Sequence, residues 1–194
     1  NVSGTDDTAS GNSAYGISAM DAITTGDNNT AVGRSALGAN TTAGGNVAVG
    51  KDALTDNTTG AENVAVGENS LANNTTAAGN TAVGRGSMFT NTTGANNVGI
   101  GFDALYANTT GTRNLAIGKG AYDASDTEND NLAIGYEAMT TNTAGGEQNV
   151  AVGNYALDAL TSGDDNVAIG HDALTTLTTG LRNTAVGKDA LKLT

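Results

Sequence analysis

The chain has 194 residues, with 20 acidic and 8 basic side chains and a formal net charge of −12. It has no cysteine, proline or tryptophan, and its aromatics are two Phe and five Tyr. These features exclude disulfides and thiolate metal sites, argue against nucleic acid and anionic membrane surfaces, and leave too few large side chains for an ordinary globular core.

Residues 1–11 read as a lead-in or partial coil, and their polar sequence is not that of a signal peptide. From Asn12 onward an Asn-x-Ala-Val-Gly unit recurs, at Asn29, Asn46, Asn63, Asn80, Asn97, Asn114, Asn131, Asn149, Asn166 and Asn183. Each step is 17 residues except one of 18, where an extra residue falls at Gly145-Gly146. Residues 12–194 therefore read as one domain of eleven repeats without a linker. The last copy stops at Thr194 inside a repeat, so the chain reads as a processed product or a piece of a longer protein. No apolar run approaches the ~20 residues of a membrane-spanning helix.

Within each unit the columns make distinct demands. Gly stands four residues after every Asn, from Gly16 to Gly187, and suits a corner needing positive φ or close approach of a neighbouring coil. Val or Ile precedes that Gly everywhere except Tyr15, and Ala precedes the Val or Ile everywhere except Gly99. Further on come Ala or Ser, then Leu, Met or Tyr122, and later a Thr-Thr pair in most copies. A 17-residue unit is too short for a helix pair. Its Thr, Val, Asn and Gly are poor helix formers, and triplets such as Val47-Ala48-Val49 favour short strands.

The expected fold is all-β: a parallel β-solenoid, or β-roll, of about eleven coils with two short strands each, rising ~4.8 Å per coil to roughly 50 Å. In-register stacking lets Asn29, Asn46, Asn63, Asn80, Asn97, Asn114, Asn131, Asn149, Asn166 and Asn183 form a side-chain amide ladder. The Val/Ile and Leu/Met columns are expected to fill a thin core. The Ala column then points the other way, covered either by the roll's own second sheet or by another copy of the chain.

Units such as Asn63-Val64-Ala65-Val66-Gly67 and Asn166-Val167-Ala168-Ile169-Gly170, with the following Ala-Leu and Asn-Thr-Thr-Gly, resemble the head repeats of trimeric autotransporter adhesins of the Yersinia adhesin type. They resemble still more closely the repeats of bacteriophage tail fibres. The likeness spans essentially the whole chain, although this unit is a few residues longer than the adhesin-head unit. It implies a left-handed roll, a homotrimer or other homo-oligomer, an extracellular, cell-surface or virion location, and attachment to a host or surface receptor, with glycan among the candidate ligands.

Little in the sequence points to chemistry. His171 shares its column with Lys51, Glu68, Arg85, Lys119 and Asn154, which marks a solvated face, and no nucleophile–base pair can be proposed. The chain therefore reads as neither an enzyme nor a cofactor protein. Structural calcium is conceivable at Asp6-Asp7, Asp126 to Asp130 and Asp164-Asp165. Phe89, Phe102, Tyr106, Tyr136 and Tyr155 occupy variable columns and are either receptor-binding aromatics or packing between chains. Thr41, Thr42, Thr58, Thr59, Thr75, Thr76, Thr92, Thr93, Thr109 and Thr110 are either turn-edge hydroxyls or an ice-binding ladder. A third reading makes the chain a filament subunit joined through its open terminal coils.

Overall fold

The computed structural model describes residues 9–141 and 145–192. Eleven parallel three-residue strands form one sheet: β1 (Ser13–Tyr15), β2 (Thr30–Val32), β3 (Val47–Val49), β4 (Val64–Val66), β5 (Thr81–Val83), β6 (Val98–Ile100), β7 (Leu115–Ile117), β8 (Leu132–Ile134), β9 (Val150–Val152), β10 (Val167–Ile169) and β11 (Thr184–Val186). Their order in the sheet is their order in the chain, so each coil lies on the one before. The register is identical throughout, with Ala31 opposite Ala48 and Ala48 opposite Ala65. The extra residue near Gly145 leaves this intact, because Ala133 still pairs with Ala151. The chain is thus a β-solenoid of stacked 17-residue coils.

Two expectations are corrected. First, among the described residues each coil has one strand, not two. The opposite wall carries Ala or Ser followed directly by Leu, Met or Tyr, and in pairs such as Ala53-Leu54 both residues are fully buried. A β-strand sends consecutive side chains to opposite faces and cannot bury both. The backbone instead turns left-handed at the residues flanking the Ala, with φ of 56° at Asp52 and 53° at Leu54. Positive φ is uncommon for Leu. Here it recurs in coil after coil, because it aims one N–H at the preceding coil and the other at the following one. Asp52 N donates to Arg34 O at 2.9 Å, and Leu54 N donates to Ser70 O at 3.0 Å.

Second, the faces of the strand are reversed. The central Ala of the triplet points into the core and is fully buried in β2 to β5 and β7 to β10. Val and Ile point outward, where Val32, Ile100 and Ile169 are 38–40% exposed. Size explains the choice. A Cβ on Gly99 would lie 2.7 Å from Ser87 Oγ and 3.2 Å from Met88 Cγ. A column with so little room takes nothing larger than Ala. The core comprises this Ala column, the Ala-Leu wall and the Asn side chains between them.

The Gly corner is fixed by both conditions expected of it. Gly67 has φ of 137°, and a Cβ there would stand 2.5 Å from Gly84 O. The same clash with the next coil's carbonyl recurs at Gly33, Gly50 and Gly101.

Candidate functional site

The Asn ladder forms in every described coil, and its geometry is richer than side-chain amides stacking on one another. Each Oδ1 accepts the backbone N–H of the next Asn, as from Asn63 N to Asn46 Oδ1 and from Asn80 N to Asn63 Oδ1, both 2.9 Å. Each Nδ2 typically reaches a carbonyl fourteen residues on, as from Asn63 to Ala77 O at 2.8 Å. The rung survives the insertion, with Asn149 N donating to Asn131 Oδ1 at 2.8 Å. Buried polar atoms on the repeat's own axis are thereby satisfied.

A second ladder, missed by the sequence reading, runs through Asn40, Asn57, Asn74, Asn91 and Asn108. Asn74 Nδ2 donates to Asn57 Oδ1 at 2.8 Å and to Ala77 O at 3.0 Å. Its signal was the same 17-residue period, in the Asn that precedes each of these Thr-Thr pairs. It ends at Ser125, whose short side chain cannot bridge the gap, leaving Asn108 Oδ1 and Ser125 Oγ buried without a partner. Glu128, almost fully buried where other coils have Gly or Ala, steadies this break. Its carboxylate accepts from the backbone N–H of Asp126, Thr127 and Gly145.

The Thr pairs divide. Thr41, Thr58, Thr75, Thr92 and Thr109 are half-buried, and each hydroxyl donates to a backbone carbonyl of the next coil, as Thr58 Oγ1 to Thr75 O at 3.0 Å. Thr42, Thr59, Thr76, Thr93 and Thr110 are exposed and form a single file along the rod.

The aromatics come together more closely than the sequence could show. Phe89 and Tyr106 stack with ring centroids 5.4 Å apart and an interplanar angle of 14°. Arg85 lies over Phe102 at 5.2 Å, and Lys119 lies over Tyr136 at 5.0 Å. Tyr136 then meets Tyr155 edge-on at 5.5 Å, and Tyr155 meets His171 at 5.8 Å. Phe102, Tyr136 and Tyr155 thus lie between the Gly corner and the Ala-Leu wall, whereas Phe89 and Tyr106 stand just past that wall, where this edge of the coil brings them beside Arg85 and Gly86. On this edge a cleft of about 220 Å³ is lined by Asn69, Arg85, Gly86, Phe89, Asp103 and Tyr106. Burial pushes the Asp103 carboxyl up from its ordinary value, while the positive charges of Arg85 and Lys119 pull it back.

The acidic clusters are engaged in turns and ion pairs. Arg113 grips Asp130 through two hydrogen bonds of 2.6 and 2.7 Å, which holds that carboxyl below its usual range. Asp164 Oδ1 accepts the N–H of Glu147, and Asp165 lies 3.7 Å from Arg182. Asp6-Asp7 lies outside the described residues. His171, Asp172 and Asp189 bring three ligand-type atoms within 4.8 Å of one another. Lys192 already sits there, 2.7 Å from Asp172 and 3.7 Å from Asp189. Its ammonium pairs with both carboxylates, and its hydrogen bond holds Asp172 below the ordinary carboxylate value.

The remaining feature is the outer face of the sheet. Both outward columns are apolar in most coils: Val47 and Val49, Val64 and Val66, Leu115 and Ile117, Leu132 and Ile134, Val150 and Val152. No charged side chain lies on β1 to β11.

Comparison with family models, curated proteins and solved structures found no match for this chain.

Proposed function

We propose that the chain is a stiff rod segment of an extracellular fibre or surface adhesin, of the phage tail-fibre or autotransporter-head kind. It acts as a homo-oligomer, with three copies packed through their sheet faces, and presents its outward columns to a receptor. It does so without catalysis and without a cofactor.

The observation that carries this reading is the uncharged Val/Ile/Leu face. Three residues wide and eleven coils long, the face covers roughly 500 Å² in projection, interrupted by the hydroxyls of Ser13, Tyr15, Thr30, Thr81 and Thr184. That lies at the upper end of the largest apolar patch an ordinary monomer exposes. Two such faces in contact would bury on the order of 1,000 Å², about the lower bound for a specific interface. Water would hold the outer columns to polar residues if the face stood alone. The charge of −12 fits the same picture, because acidic side chains on the remaining faces keep rods from clumping laterally.

Light scattering of the purified chain, with negative-stain images of the same sample, tests the reading. A mass of three chains in a short rod is expected. Replacing Val66 and Ile117 together by Lys should yield monomers that keep the β spectrum. A monomeric parent, or a double variant of unchanged mass, would overturn the oligomer.

A further inference from the structure

We infer that the cleft between Phe89 and Arg85 is a subsite for a neutral hexopyranose ring of a surface oligosaccharide. The inference rests on the reading of the rod as a receptor-attaching segment and names the chemistry of its receptor.

The cleft combines the two features a sugar ring requires. The Phe89–Tyr106 stack supplies apolar surface for the C–H face of a pyranose. Asn69, Arg85 and Asp103 place an amide, a guanidinium and a carboxylate on its walls, so donors and acceptors converge on the same 220 Å³. Vicinal hydroxyls, each both donor and acceptor, match that set. The formal charges of Arg85 and Asp103 cancel, and Glu68 lies 3.8 Å from the same guanidinium. With a chain charge of −12 behind it, the cleft disfavours an anionic sugar or a phosphate.

The cleft lies at a departure from the repeat that Gly120 makes again two coils on. At the sixth residue after the Asn, neighbouring coils carry Asp52, Asn69 and Asp103, all at φ between 53° and 57°. Gly86 replaces a side chain in that column, at φ of 67°. A Cβ there would fall 2.2 Å from Asp103 Oδ1 and 3.7 Å from the Tyr106 ring. Without one, the Asp103 carboxylate settles over Gly86, beside the Tyr106 ring. The backbone does not need Gly here, since Asn69 adopts nearly the same conformation one coil away.

The experiment is a titration of the intact chain with neutral hexasaccharides of glucose, mannose and galactose, each α- and β-linked, and with a hexuronate for contrast. Tyrosine fluorescence and calorimetry supply the readouts. Saturable binding of at least one neutral member, and weaker binding of the hexuronate, are expected. Gly86→Asn should fill the cleft and displace Asp103 while keeping the β spectrum and oligomeric mass. Gly86→Asn and Tyr106→Ala should each lower affinity by roughly tenfold or more. Thr42→Ala, on the exposed Thr file and away from the cleft, should leave the affinity unchanged. The inference is overturned if no neutral member binds, if the hexuronate binds more tightly, or if a folded Gly86→Asn variant binds like its parent. A rod that keeps its oligomeric mass yet binds no neutral sugar would remove the subsite and leave the fibre reading standing.

Discussion

Removing one rung of the first Asn ladder gives a sharp test of how the coils are held together. Asn63 Oδ1 accepts the Asn80 N–H, and its Nδ2 donates to Ala77 O. In Asn63→Ala the two partners fare differently. Ala77 O keeps a second donor, Asn74 Nδ2 at 3.0 Å. The Asn80 N–H, on a fully buried residue, keeps none. An orphaned buried donor costs about 1–3 kcal/mol. With the small void added, the substitution should cost about 2–4 kcal/mol. Asn183→Ala, on the half-buried last rung, should cost under ~1 kcal/mol. Asn63→Asp separates the roles further. It keeps the acceptor for Asn80 N–H but turns a buried carboxylate toward Ala77 O. Burial raises the pKa of such an acid, so the folded state favours its protonated form. Stability lost at neutral pH should therefore return as pH falls through the raised value. Chemical denaturation followed by circular dichroism measures the cost, and amide exchange at Asn80 reports the rung itself. An Asn63→Ala variant as stable as Asn183→Ala, with the Asn80 amide still protected, would refute the reasoning.

Three further outcomes are expected. Gly67→Ala should destabilise by about 3 kcal/mol or more, because its Cβ meets the Gly84 carbonyl rather than a movable side chain; denaturant midpoints within error of the parent would contradict this. Asp123 is half-buried, and burial pushes its carboxyl up. Asp123→Asn should therefore stabilise slightly at neutral pH, by less than ~1 kcal/mol given its solvent exposure, and the gain should vanish below the unfolded value near ~3.9. A gain that persists at low pH would show that charge is not the cause. The exposed file of Thr59, Thr76 and Thr93 is one residue wide, and its partner hydroxyls are committed to backbone carbonyls. The parent should accordingly show no thermal hysteresis, and measurable hysteresis in osmometry would revive the ice-binding reading.

The 17-residue period alone specified a stack of coils in one register. Identical residues at identical spacing make identical rungs, so Asn on Asn and Gly on Gly followed from the sequence. The Gly corner was legible for the same reason, since an unbroken Gly column signals both positive φ and close approach. What the sequence left open was which way each side chain points. Val-Ala-Val has two faces, and hydrophobicity favours burying the larger residue. Only the packed coil shows that Met88, Ser87 and their counterparts leave room for no more than a methyl group, so Ala goes in and Val goes out. The paired burial of Ala53 and Leu54 was likewise readable only once left-handed φ values broke the strand's alternation. The cleft at Gly86 was hidden for a related reason. Its residues lie in three successive coils, and stacking at ~4.8 Å brings together side chains that the sequence separates by a full period.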